Sequence, residues 1–318
     1  GAFVAGRQQP TNFHMQTANQ FSGIYPMMYA LFDADGRVDR SAMQRQVQAC
    51  LRGGAHGVAV LGLATEVDKL AAGERRQLVE WVIGEVDGRV PVAVTVAEPT
   101  VSAQVSFAAW SKQRGASWVI LQPPPERGLP EQWYADFFAQ VMAQLDVPCA
   151  IQNAPEYLGV GLGAQSIRSL RERCPNFVLL KGEGSVIAIR DVLETVEGEL
   201  IVFNGRGGLE LTDNLRAGCA GMIPAADTFD YQVRIFELLG SLPGAPENEE
   251  TAEEIYRKIL PAIVFTMQSL HSLICYGKRI AALRLGLSHV YDRSPAMLPT
   301  EFGLRCARRY AAMLGPLA

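Results

Sequence analysis

The sequence predicts the α/β class, specifically a (β/α)8 TIM barrel with a C-terminal helical extension. Three observations carry that prediction. Short apolar, β-rich runs recur about eight times, and segments with helical spacing of apolar residues separate them. Such alternation builds a parallel sheet with helices outside it, and about eight units favour closure into a barrel. No GxGxxG follows the first run, which weakens the open dinucleotide-binding alternative.

The first run covers residues 23–32 and leads to a helical segment at 39–51. The runs at 57–61, 90–96 and 118–122 each precede another, at 73–86, 101–114 and 131–145. Those at 148–152 and 177–181 precede 164–173 and 186–196, and the series ends with 200–204 and 221–224. After the connector SLPGAPENEE, two amphipathic stretches at 251–287 and 299–314 form the extension. Their apolar stripes read as core or subunit interface. The expected division is a flexible arm at 1–20, the barrel at 21–240 and the helical extension at 241–318.

Composition narrows the function classes. With 29 basic and 33 acidic side chains the net charge is -4, without the basic excess that nucleic-acid binding requires. The six cysteines contain no CxxC pair, and the four histidines show neither HxxxH nor HExxH spacing, so no metal is implied and no cofactor is expected. No run reaches the apolar length of a membrane helix. The expectation is a cytoplasmic protein acting on a small molecule, with neither membrane nor nucleic-acid partner.

In such a barrel the chemistry sits at the C-terminal strand ends. The sixth run, FVLLKGEG, carries an apolar strand directly into Lys181, and Glu183, two residues on, points to the same side. A lysine in a low-dielectric pocket has its charged form disfavoured, which frees the amine for attack on a carbonyl, and a neighbouring carboxylate can move protons. A structural ion pair is the competing reading; position at the barrel mouth favours catalysis. Thr65, Asn153, Asn204 and Arg206 are candidates for holding substrate, although polar strand-end residues also cap loops. Gly205 reads first as a backbone requirement.

HGVAVLGLATE after the second run, AIQNAP after the fifth, VLLKGEG after the sixth and the Gly205 turn in IVFNGRGG share an order and spacing with a known family. The chain resembles the dihydrodipicolinate synthase and N-acetylneuraminate lyase superfamily from Gly23 to its C-terminal helices. The resemblance implies that Lys181 is the Schiff-base lysine and that the protein is a homotetramer. Two departures stand out. Leu63 and Ala64 occupy the positions of the hydroxyl pair that holds the substrate carboxylate, and Pro123-Pro124-Pro125 replaces the catalytic tyrosine after the fourth strand.

With that phenol missing, Glu183 is the nearest acid/base. The resemblance is then closest to the 2-keto-3-deoxy-L-arabonate dehydratase type, which implies conversion of this five-carbon sugar acid to 2,5-dioxopentanoate and water. The alternatives are a pyrroline-4-hydroxy-2-carboxylate deaminase, a pyruvate-dependent aldolase, or a non-catalytic barrel that binds a sugar acid.

Overall fold

The computed structural model describes residues 21–240 and 244–317. The arm expected at 1–20 lies outside the described residues, as do positions 241–243 of the connector. Eight parallel strands run in the order β1-β8-β7-β6-β5-β4-β3-β2. They are β1 (Gly23–Ile24), β2 (Val58–Val60), β3 (Val92–Val96), β4 (Trp118–Leu121), β5 (Cys149–Asn153), β6 (Phe177–Gly182), β7 (Ile201–Asn204) and β8 (Gly221–Met222). Nearly every strand residue is buried, as expected where helices cover one side and the barrel interior lies on the other.

The first strand is much shorter than the apolar run suggested. Pro26 has no N–H to donate, so the ladder breaks after Ile24 and resumes as bridges from Met27 to Ala59 and to Ala225. Those bridges close the barrel. Met27 donates its N–H to Pro224 O at 2.6 Å, and Met28 donates to Ala59 O at 2.9 Å.

The helices begin where side chains satisfy their free N–H groups. Asp39 caps α1 (Arg40–Arg52), Thr100 caps α3 (Val101–Arg114) and Ser185 caps α7 (Val186–Thr195). Between these lie α2 (Ala72–Val86), α4 (Glu131–Met142), the single-turn α5 (Pro155–Leu158) and α6 (Ala164–Arg173). The helices α8 (Leu211–Ala217) and α9 (Phe229–Leu239) complete the ring.

The extension is not the two continuous helices the pattern suggested. Its first stretch divides into α10 (Pro246–Thr266) and, bent by 106°, a segment from Leu270 to Arg284. That segment holds one turn of α-helix, a π-helical turn at Leu273–Gly277, and α11 (Lys278–Arg284). The last helix, α12 (Glu301–Leu314), is capped by Thr300. No single helix among the described residues is long and apolar enough to cross a membrane. Ala252, Ile259, Ile263 and Ile280 of the bent pair join the continuous core.

Tyr25, directly after β1, meets Trp118 of β4 and Phe203 of β7, and the three ring centroids lie 5.2–5.6 Å apart. Rings from these separate parts of the sheet can meet this way only inside the barrel, where they form an aromatic layer beneath the mouth. That layer makes the lower barrel solid and leaves the C-terminal strand ends as the place for a site.

Candidate active site

Lys181 occupies the fifth position of β6, paired in register with Gln152 on β5 and Phe203 on β7. A bulge prepares this register. Cys149 faces Phe177 whereas Ala150 faces Leu179, so one residue of β6, Val178, is unmatched. Bulges re-aim the side chains beyond them, and here those side chains include Lys181. One residue past the strand, Glu183 continues the ladder by donating its N–H to Asn153 O at 2.9 Å.

The two candidates are brought together as an ion pair. Lys181 Nζ lies 3.2 Å from Glu183 Oε1, with side-chain exposures of only 5% and 7%. The same oxygen accepts from Gln152 Nε2 at 2.8 Å. Gln152 Oε1 in turn accepts from Gln122 Nε2 at 2.9 Å. On its other side the carboxyl rests on Gly205, where a Cβ would stand 2.9 Å from Glu183 Cδ. Gly205 is therefore needed for close approach, and its place beside the carboxylate explains the glycine.

Lys181, Glu183, Arg206 and Tyr157 supply the charged and phenolic lining of one cavity. Leu63 and Ala64 form part of its wall, and Met267, Leu270 and Leu273 bring the C-terminal extension over it. Arg206 donates from Nη1 to Gly184 O at 3.2 Å and to Glu210 Oε1 at 3.1 Å. Its buried Nε makes no hydrogen bond among the described residues and lies 3.7 Å from Glu156 Oε2. Tyr157 has its pKa raised chiefly by burial, then by the Glu156 and Glu183 carboxylates, against the opposing pull of Arg206. Its hydroxyl therefore keeps its proton near neutrality.

Three of the sequence candidates are committed elsewhere. Thr65 Oγ1 donates to Met28 O at 2.5 Å and accepts from Leu61 N at 3.0 Å, and Thr65 is absent from the cavity lining. Asn153 fastens a loop through two bonds with Leu162, at 3.0 and 2.7 Å. Asn204 donates to Gly184 O at 3.1 Å and to Asn214 Oδ1 at 2.9 Å. All three brace the mouth; none faces the cavity.

Sequence reasoning passed over Tyr157 and Gln152. Tyr157 follows the fifth strand rather than the fourth, so the position vacated by Pro123-Pro124-Pro125 does not reveal it. The cavity thus holds a phenol after all, and Glu183 is not its sole proton-bearing group. Gln152 was signalled only by register, being on the face of β5 directly opposite Lys181.

The model of the dihydrodipicolinate synthetase family matches residues 20–299. The chain belongs to that family. YjhH of Escherichia coli K12, whose name describes a 2-dehydro-3-deoxy-D-pentonate aldolase, is 26% identical over 83% of this chain and 88% of its own. The 4-hydroxy-tetrahydrodipicolinate synthase of Thermus thermophilus is 29% identical over 71% of this chain and 77% of its own.

Two solved structures show the same fold. A dihydrodipicolinate synthetase-like protein from Pseudomonas aeruginosa superimposes with a TM-score of 0.85, at 22% identity, covering 93% of this chain and all of its own. YagE of E. coli K12, solved in complex with pyruvate, gives a TM-score of 0.81 at 22% identity over 92% and 98% of the two chains. Family membership supports a lyase acting on a small molecule.

Proposed function

We propose that the protein is a Schiff-base-forming dehydratase that converts 2-keto-3-deoxy-L-arabonate to 2,5-dioxopentanoate and water. The single observation that carries this reading is the buried contact of Lys181 Nζ with Glu183 Oε1 at 3.2 Å. An amine and a carboxylate this close support chemistry at an imine carbon and at the C–H beside it.

Lys181 attacks the C2 ketone and expels water to give an iminium, which acidifies the C3 protons. Glu183 takes one of them, forming the enamine. Protonated Glu183 then gives that proton to the C4 hydroxyl, which departs as water as the C3–C4 double bond forms. Loss of a C5 proton and protonation at C3 give the C4–C5 enol, which gains a proton at C4 and loses its hydroxyl proton to become the aldehyde. Hydrolysis of the imine returns the water lost at its formation, so one water leaves overall.

The substrate carboxylate needs donors that Leu63 and Ala64 side chains lack. Thr65 N–H bonds to Gly62 O and Glu66 N–H to Leu63 O, whereas the N–H groups of Leu63 and Ala64 find no acceptor among the described residues. Both residues line the cavity, and adjacent free backbone N–H groups form a suitable anion nest. Arg206 and Tyr157 would then serve the hydroxyl end of the substrate.

The test is borohydride reduction in the presence of pyruvate, which should add mass at Lys181; an unmodified lysine would sink the proposal. Glu183→Gln should keep the adduct and lose turnover. One observation favours a second reading. Tyr157 in the cavity supplies a phenol of the kind a pyruvate-dependent aldolase uses. Pyruvate rather than 2,5-dioxopentanoate as the product would select that reaction.

A further inference from the structure

Two glutamines that do not reach the cavity form an ordered chain behind the site. Gln122 is 7% exposed and Gln152 2% exposed, and neither lines the cavity. From the outside inward, Gln104 Nε2 donates to the Gln122 backbone O at 2.9 Å. Gln122 Nε2 donates to Gln152 Oε1 at 2.9 Å, and Gln152 Nε2 donates to Glu183 Oε1 at 2.8 Å.

The direction of this chain follows from chemistry. An ionised carboxylate only accepts, so Gln152 must turn its NH2 toward Glu183. Its carbonyl oxygen is then left facing Gln122, which must present its own NH2. Glutamine does not titrate, so the donor facing Oε1 persists when Lys181 changes from ammonium to neutral enamine nitrogen.

The consequence falls on the two carboxyl oxygens. Oε1 already meets the Lys181 ammonium and the Gln152 amide. No hydrogen bond from the described residues reaches Oε2. A proton placed on Oε1 would stand against the N–H of Gln152 and reverse the chain; a proton on Oε2 disturbs nothing.

We propose that Gln152, held in orientation by Gln122, is a positioning residue that directs proton transfer to Oε2 of Glu183. This rests on the Schiff-base reading above for the identity of the proton donor, the C3 position of a keto acid bound to Lys181. It goes beyond that reading by assigning the oxygen that carries the proton and the residues that choose it.

The experiment follows exchange of the pyruvate methyl protons for deuterium in D2O by NMR, alongside borohydride trapping at Lys181, in the full chain. Exchange requires imine formation and proton abstraction but not dehydration. Gln152→Met should leave trapping at the wild-type level and slow exchange about ten- to a hundredfold, the loss expected from removing a hydrogen bond to a charged group. Gln122→Leu keeps the donor but frees its orientation, so exchange should fall by about two- to fivefold with trapping again unchanged.

Should Gln152→Met misfold, which circular dichroism would reveal, Gln122→Leu and the double variant Gln122→Leu/Gln152→Met provide the same comparison without leaving the Gln122 amide stranded. Trapping and exchange falling together would mark a structural role and overturn the proposal, as would exchange at the wild-type rate in Gln152→Met. Absence of trapping in the wild-type protein would instead overturn the Schiff-base reading, and this proposal with it.

Discussion

At the scale of single residues, one cavity gathers four polar side chains. Lys181 and Glu183 share a buried ion pair, while Tyr157 and Arg206 face the same cavity from the loops after β5 and β7. Burial and two nearby carboxylates raise the Tyr157 pKa, so this phenol keeps its proton at neutral pH. Tyr157→Phe should therefore retain the borohydride adduct at Lys181 while kcat falls about tenfold or more, the usual scale for losing one positioned donor. Steady-state kinetics beside mass spectrometry checks this, and an unchanged kcat would remove Tyr157 from the reaction. That Lys181 and Glu183 lie side by side was legible in the sequence because residues two apart on extended backbone share a face. Tyr157 and Gln152 were not, because their relation to Lys181 passes across strands through a register that a bulge at Val178 sets.

At the scale of elements, the loop after β2 shows how a wall is built without the expected hydroxyls. Leu61 and Glu66 bracket it in left-handed backbone conformations, with φ of 68° and 58°. Thr65 pins the turn from within through Met28 O and Leu61 N, and Glu66 accepts from the buried Lys278 of α11 and, at 2.9 Å, from Lys69. Thr65 thus belongs to the frame of the loop. Thr65→Val keeps the shape but strands a buried carbonyl and a buried N–H, and should cost about 1–3 kcal/mol of stability. Urea denaturation measures it, and an unchanged midpoint would contradict the role. Strand and helix alternation was legible because each element carries its own apolar period. The break at Met267–Ser269 was not, since Leu, Ile and Met continue on both sides of the 106° bend and its one local mark is Ser269, which starts the next segment by accepting from Ser272 N at 3.0 Å.

At the scale of the whole molecule, what must hold is the seam where the first strand closes the barrel. Gly23 packs so tightly against the His56 ring that a Cβ would collide with it, and Ile24 donates its N–H to His56 Nδ1 at 3.0 Å. The ring also meets Phe236 of α9 edge-on at 4.9 Å. An imidazole can accept through Nδ1 only while that nitrogen is unprotonated. Burial lowers the His56 pKa below its ordinary 6.5, with Glu237 pulling weakly the other way. The unfolded chain therefore binds more protons than the folded one in the window from about 6.5 down to the folded value. Stability from this contact is complete above the window and is lost as pH falls through it. Thermal midpoints should decline as pH is lowered across this range, and His56→Gln, whose Oε1 can accept from Ile24 without titrating, should lack that part of the decline. Carboxylates also titrate at lower pH, so the comparison that matters is wild type minus variant. A difference curve that stays flat from about pH 7 to about pH 5 would show that the seam does not depend on a neutral His56.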